Sequence, residues 1–459
     1  MKLLLPDTWH FHRRNFLPLF LHLRAAGIAT QVDRSRRRWW RRHGDYRSFA
    51  GRLERHVAPL RNLVPATLLQ HRHREIPVFD CCRAELLCLL LPRPRWAEGG
   101  GGNGTDDVLS RAHADAEDRQ DLLLCMAAAC DWIEHWFRIL QDNPALTHVL
   151  AYSGSYIYTR TLQEVASRLG RRLFCLETIF TGNEFYFEER ATPIANRSLL
   201  GDPAWYDRLA LPAAADARAR LLAEGQRRLA AMRNKNVPAS DAVLLQPVPR
   251  GRPGVLILGQ VLNDFSLIET PASEASALAI YRRLLGGILK HTDLPVIFKA
   301  HPWERRRPNL RRPVTLQAIG NWLATLPQTQ RHRVRLLETE PVGVVFPHVD
   351  QVVGICSQGL LEACQAGLKP AVIGPTFFGG KGFTHDFATP EDYVDALARD
   401  RLPSQLALED YRCFEEFLAR ALVLHCVENA PAGVIKIAER LAEPNAMPQA
   451  EAVLARLPA

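Results

Sequence analysis

Four short segments carry residue types whose spacing could do chemistry. FKAHPWE, at 298–304, puts Lys299 and His301 directly after the apolar run PVIF. Both side chains donate hydrogen bonds, so at a strand exit the pair can hold a phosphate-type anion, with Pro302 fixing the backbone beside them. CSQGLLEACQAG, at 356–367, places Ser357 and Gln358 where an apolar strand hands over to a helix. A hydroxyl and backbone N–H groups at the positive end of a helix dipole also favour an anion. Glu362, a little over one turn on, can accept from sugar hydroxyls. GQVLNDFSL, at 259–267, sets Asp264 at a strand exit, and FCLETIF, at 174–180, does the same for Glu177. Strand-end carboxylates serve as nucleophiles or as general acids and bases. Taken alone, each segment has a plainer explanation: a charged surface turn, a capped helix with an exposed Glu, an Asn-Asp helix start, a structural salt bridge.

Such residues need elements that bring them to one crevice, and the chain alternates strand and helix from its start. KLLLP reads as a strand, RNFLPLFLHLRAAG as a helix stopped by Gly27, and ATQVD as the next strand. After a flexible, Gly-rich stretch at 97–107 comes a long helix from about Glu117 to Gln141. HVLAYSG, SYIYTRTLQEVASRLG and RRLFCLET then form another βαβ unit. The Pro-rich segment 237–253 reads as a linker. Beyond it GVLILGQ, PVIFKAHP, VRLLE, QVVGICS and KPAVIG read as strands between helices. The predicted class is α/β, with two Rossmann-like lobes facing a cleft. The divisions are 1–236 for the first lobe, 237–253 for the linker, 254–395 for the second lobe and 396–459 for a helical C-terminal segment. No repeat of solenoid period is present. Ligands of such sheets bind outside the carboxyl ends of the strands, where all four segments fall.

In combination the segments are far more specific. KxHP, then SQGxxEAxxxG, then AVIGPTFFGGKGFTHDF resembles the β-Kdo transferases of the capsule polysaccharide biosynthesis family, most strongly over about 255–390. The HP and Ser motifs are also similar to those of bacterial sialyltransferases. The resemblance implies a GT-B enzyme that moves Kdo from CMP-Kdo to a saccharide or lipid-linked acceptor with retention. It implies that His301 and Ser357 hold the CMP phosphate with Lys299 and Gln358 beside them, and that Glu362 meets the ribose. The strand-end QVxxD pattern supplies Gln260 and, as nucleophile, Asp264; Glu177 matches the acid–base carboxylate and Asn196 a conserved-type Asn. Gly382 and Thr384 remain in the last block, where Phe378 stands in place of a Tyr. The first lobe departs further: ETIF lacks a Gly after the Glu, and IAN stands for GVN. Other readings stay open: another CMP-sugar transferase of sialyltransferase type, a teichoic-acid-type glycerophosphotransferase, or a non-catalytic module that binds polysaccharide or nucleotide sugar. A GT-B enzyme of this sort needs no DxD-held metal and no cofactor besides its donor substrate.

Bulk composition narrows the partners. The formal charge of +9 favours an anionic ligand or surface without choosing among them. Ten cysteines, mostly in apolar stretches and without zinc spacing, point to reduced thiols and a cytoplasmic setting. MKLLLPDTWHFH is too short in its apolar run for a signal peptide, and no run of 18 apolar residues exists to span a membrane. His10 and His12, and His71 and His73, have the spacing of strand-borne metal ligands, but no carboxylate or thiol cluster completes either set, so no metal site is expected. GGGGNG lacks the Lys-Ser/Thr of a phosphate loop. RSRRRWWRRH, at 34–43, reads as a solvated basic face. The alternative is contact with anionic lipid at the inner face of an inner membrane, with Trp39 and Trp40 at the interface; no nucleic-acid partner is expected.

Overall fold

The computed structural model describes residues 1–97, 104–232, 254–270, 276–306, 310, 312–443 and 450–455. The expected linker, 237–253, and residues 98–103 of the Gly-rich stretch lie outside them. In chain order the strands are β1 (Lys2–Leu5), β2 (Ala29–Val32), a small hairpin of β3 (Arg72–His73) and β4 (Ile76–Pro77), then β5 (Leu146–Tyr152), β6 (Arg172–Thr178) and β7 (Glu184–Glu189). There follow β8 (Val255–Leu258), β9 (Val296–Lys299), β10 (Val334–Leu337), β11 (Gln351–Gly354), β12 (Ala371–Ile373), β13 (His385–Phe387) and β14 (Val427–Glu428).

The second sheet runs β10-β9-β8-β11-β12-β13 and is parallel throughout. That is the doubly wound order, and its direction of winding reverses between β8 and β11, which opens a crevice at their carboxyl ends. VLIL of β8 and VIFK of β9 are buried along their whole length, so these strands carry continuous apolar runs instead of an alternation. The first sheet runs β14-β7-β6-β5-β1-β2. Its β2, β1, β5 and β6 are parallel, with a second reversal between β1 and β5. The fold is therefore GT-B-like, with two Rossmann-like lobes meeting at their strand ends.

Three features depart from the sequence reading. EFYFEE, assigned to no element from the sequence, is strand β7; only a short turn separates it from β6, so it pairs antiparallel. The segment 396–459 is not simply helical. After the helix Leu408–Leu418 and a π-helical turn Ala419–His425, β14 returns to the first sheet and pairs with β7, and the helix Pro431–Ala442 packs on the helix Arg13–Ala25. The basic run 34–43 is a solvated face only in part: Arg34, Arg37, Arg38 and Arg41 are exposed, while Arg36 and both tryptophans turn inward. Trp39 and Trp40 are 3% and 4% exposed, and Trp39 meets Trp132 of the helix Ala116–Asp142 edge-on. Arg36 follows them in, bonding Asp131 and lying 4.9 Å over the Trp132 ring. The apolar area of two indoles outweighs the desolvation of one guanidinium that gains a carboxylate and a ring face. The two tryptophans therefore do not form an interface with lipid. Among the described residues no helix is long and apolar enough to cross a membrane.

A buried carboxylate ties the returning segment down. Glu188 of β7 accepts from Ser198 Oγ (2.6 Å), the Leu199 amide (3.1 Å) and Arg190 (2.7 Å), and pairs with His425 Nε2 at 2.9 Å. Burial alone would raise its pKa, but His425 and Arg190 overcome that and hold it at about 2. Glu188→Gln leaves those donors unmatched and is expected to lower stability by about 3–5 kcal/mol in denaturant titrations. A lowered folded-state pKa stabilises the protein above the unfolded value, so the difference from wild type should shrink as pH falls below about 4.5 toward 2.

Candidate active site

At the reversal between β8 and β11 lies a pocket lined by Leu258 and Gly259 from the β8 exit, Lys299, Ala300, His301 and Pro302 from the β9 exit, and Ser357, Gln358, Gly359 and Glu362 after β11, with Glu340 and Val342 closing one side. The sequence therefore placed the Lys-His and Ser-Glu motifs on one wall. Gly259 is required there, since a Cβ would stand 2.9 Å from the Lys299 carbonyl. Lys299 is 6% exposed, and its Nζ donates to two carbonyls, Ala300 at 3.0 Å and Glu338 at 2.8 Å. Burial pushes its pKa down to about 8, with Glu340, Glu338 and Glu362 opposing. Burial likewise raises the Glu362 carboxyl, against the pull of Lys299. An incoming anion would restore the charge on such a lysine and gain a strong, poorly solvated partner.

His301 caps the short 3-10 turn Pro302–Arg305: its Nδ1 accepts from the Trp303 amide at 3.1 Å. A neutral ring so held carries its proton on Nε2, which makes it a donor. Ser357 Oγ accepts from the Gly359 amide at 3.4 Å. The helix that follows, Gly359–Gln365, is only seven residues long, so its dipole is a weaker contributor than the sequence suggested. Gln358 lines the pocket, but its amide donates to Met232 Sδ at 3.2 Å.

The two carboxylates come from opposite lobes. Asp264 follows β8 and caps the helix Phe265–Ile268, with Oδ1 accepting from the Ser266 amide at 3.0 Å. Its neighbour Asn263, fully buried, donates to the Cys88 carbonyl of the first lobe at 2.7 Å and pins this turn against it. Glu177 ends β6, and Oε2 accepts from the Ala195 amide at 3.0 Å. Ala195 holds φ of 40° to make that bond, a left-handed conformation costing about 1 kcal/mol or more without glycine. Burial, and next the charge of Asp264, push Glu177 up to about 8. The Asp264 charge thus acts on Glu177 across the two lobes. Glu177 and Glu188 lie two apart on adjacent strands, yet one is held protonated at neutral pH and the other ionised, because only Glu188 is surrounded by cationic and hydroxyl donors.

Other predicted residues stand elsewhere. Gln260 is buried; it donates to Ser266 Oγ at 3.0 Å and accepts from Cys356 Sγ at 3.4 Å, so it braces the Asp264 turn and does not line the pocket. Thr384 Oγ1 donates to Asp386 at 3.0 Å, and Gly382 faces Cys413 with φ of 95°. Neither lines the pocket; both shape the loop after β12. That loop meets the first lobe through Asn196, whose amide donates to the Pro375 carbonyl at 2.7 Å and accepts from the Phe377 amide at 3.4 Å. The interlobe clasp also includes Tyr156 against Phe265 at 4.9 Å, and Arg83 and Arg160 beside Glu269 at 3.7 and 3.6 Å. Sequence reasoning missed Glu340 and Glu269, which belong to no motif; only the tertiary arrangement gives them a role. It also treated the His pairs as lacking carboxylates, whereas Asp7 stands 3.4 Å from His10 and Glu134 3.3 Å from His73.

Residues 214–407 match the family model described as capsule polysaccharide biosynthesis protein. No curated protein sequence matches. Among solved structures, the β-Kdo 2,4 transferase of Thermosulfurimonas dismutans KpsC is 17% identical, with 62% of this chain and 82% of that chain covered and a TM-score of 0.42. The β-Kdo 2,7 transferase of the same KpsC is 14% identical, covering 68% and 90%, with a TM-score of 0.40. MurG of Acinetobacter baumannii is 10% identical over 96% and 99%, with a TM-score of 0.29.

Proposed function

We propose that this chain, whose residues 214–407 match the capsule polysaccharide biosynthesis family model, is a retaining β-Kdo transferase that takes Kdo from CMP-Kdo and passes it to a saccharide or lipid-linked acceptor. The observation that supports the reading is the pocket that gathers Lys299, His301, Ser357 and Glu362 at the β8–β11 crevice, with the Asp264 turn following the same β8 strand and its charge acting on Glu177 of the first lobe. Lys299, His301 and Ser357 take the CMP phosphate, and Glu362 accepts from the ribose hydroxyls. The Asp264 carboxylate attacks the anomeric carbon of Kdo as the bond to the phosphate oxygen breaks, and CMP leaves with the bonding electron pair. Lys299 and the hydroxyl and imidazole donors stabilise the charge that develops there. With the Asp264 charge cancelled by the sugar, Glu177 first gives its proton to solvent; the acceptor hydroxyl then passes its proton to the Glu177 carboxylate and attacks the same carbon from the opposite face, and Asp264 is released. Two inversions give net retention.

The donor half of this reading is tested by CMP binding. His301→Ala and Ser357→Ala each remove one hydrogen bond, or a charge-assisted one, and are expected to weaken CMP by about 1–3 kcal/mol, roughly 5- to 150-fold. Their circular dichroism spectra should stay unchanged. Wild-type affinity should also decline as pH rises past about 8, where Lys299 loses its proton. Calorimetry giving wild-type affinity in both variants would remove the phosphate site. Incubating the chain with CMP-Kdo and candidate saccharides, with CMP release as the readout, tests the donor itself; release from CMP-sialic acid alone would favour the sialyltransferase alternative.

A further inference from the structure

We propose that the helix Ala50–Val57, the β3–β4 hairpin and the helix Ala116–Asp142 together form a divalent-metal site of zinc type, with His56, His73, Glu134 and Asp131 as its ligands. The site lies in the first lobe and is independent of the transferase reading. Three separate elements supply it, so no sequence spacing announces it.

The starting observation is a pair of imidazole nitrogens. Nε2 of His56 and Nε2 of His73 are both buried; neither is well aligned on a hydrogen-bond acceptor, although His73 Nε2 stands beside Glu134. Unsatisfied buried nitrogens are uncommon and call for a partner. Both turn toward the same carboxylate: His73 Nε2 stands 3.3 Å from Glu134 Oε1, and His56 Nε2 stands 3.8 Å from Glu134 Oε2 and 4.0 Å from Asp131 Oδ1. The rings cross edge-on with centroids 5.7 Å apart. Ligand atoms held at about 2.0–2.2 Å from a tetrahedral zinc stand roughly 3.3–3.6 Å from one another; those of His56, Asp131 and Glu134 already lie within 4.8 Å of one another, so small shifts close this trio around one ion, and His73, now beside Glu134, must swing in as the fourth ligand. The His56 side chain is only 10% exposed. Two imidazoles with carboxylate oxygens suit a borderline cation such as Zn²⁺, and give Mg²⁺ or Ca²⁺ too few oxygens.

The surrounding charges set the terms. Asp131 is bonded by Arg36, and Arg52 lies 4.0 Å from its Oδ2. Arg55, 61% exposed, donates to Asp131 Oδ1 and to Glu134 Oε2, each at 2.9 Å. Arg55 thus occupies the oxygens that a metal would use, and its long side chain has solvent to move into. Arg36 remains on Asp131, so Asp131 offers one oxygen at most. The ion would pin the hairpin to the two helices, a structural role remote from the cleft carboxylates.

The test uses the full chain, stripped with a chelator and titrated with Zn²⁺ in competition with a chromophoric indicator. One equivalent should bind. His56→Ala and His73→Ala should each weaken that binding by roughly tenfold or more, and Arg55→Ala should tighten it by removing the competing cation. Co²⁺ in the same site should give ligand-field bands without a thiolate charge-transfer band, since ten free cysteines offer the main rival ligands. Should His56→Ala fold poorly, His73→Ala on the more exposed hairpin decides the matter. Absence of stoichiometric uptake, uptake unaffected in His73→Ala, or a thiolate band would each overturn the site.

Discussion

Asp264→Asn is expected to bind CMP about as tightly as the wild type and to turn over donor several orders of magnitude more slowly. Asn is as good a helix cap as Asp, so the Ser266 amide keeps its acceptor and the turn keeps its shape. Asn263 still anchors that turn on the Cys88 carbonyl. What is lost is the carboxylate's negative charge and with it the nucleophile. A loss confined to turnover, with binding unchanged, is the signature of an interaction made only in the transition state. Wild-type protein exposed to CMP-Kdo without acceptor should also gain the mass of one Kdo, on the peptide that carries Asp264. Near-normal turnover in Asp264→Asn would falsify the double displacement and leave the donor pocket untouched.

Glu177→Gln should lose activity and gain stability at once. As acid–base group, Glu177 is worth about 10²–10⁴ in rate. The acceptor step needs it ionised, yet burial and the Asp264 charge hold it protonated up to about pH 8. Attaching the sugar to Asp264 cancels that charge, so the pKa of Glu177 falls when a base is required. The wild type should therefore show an acid limb in kcat below pH 8, and Glu177→Gln should not. The stability sign follows from the same shift. A folded-state pKa raised from 4.5 to about 8 means that the full stability is present below 4.5 and is lost as pH climbs to 8. Gln never ionises, so the variant should be the more stable at pH 8, by on the order of a few kcal/mol at about 1.4 kcal/mol per unit, and no more stable at pH 4. Equal stability at both pH values would show that the carboxylate is not held protonated by the fold.

The second lobe was legible in the sequence because it is built from contiguous βα units. PVIFKAHP and QVVGICSQG each carry a strand and its functional exit in one run, so Lys299, His301, Ser357 and Glu362 could be placed together. Asp264 was legible twice over, as a cap and as a cleft carboxylate, and the structure makes it the first while coupling it to Glu177. Gln260 was misjudged because a motif match does not reveal that both ends of its amide are taken by Ser266 and Cys356. Trp39 and Trp40 were misjudged because a run of arginines hides apolar area, and the deciding partner, Trp132, lies far along the chain. β7 and β14 were missed for a related reason: β14 is only two residues long, and both are stabilised by pairing with a distant or reversed neighbour instead of by their own pattern.

The pairing of β14 with β7 fixes an order of assembly during synthesis. The second sheet draws only on residues from 255 to 387, so the ribosome can release all of it before Val427 exists. The first sheet began 253 residues earlier, at Lys2 against Val255, and is still missing its outer strand at that moment. Until residue 428 emerges, the backbone edge of Phe185 and Glu184 faces water, and Glu188 waits in the interior without His425. An open edge of this kind is a template for pairing with another nascent chain. The lobe that starts first thus finishes last, and chains stalled between residues 390 and 426 should be the ones that aggregate.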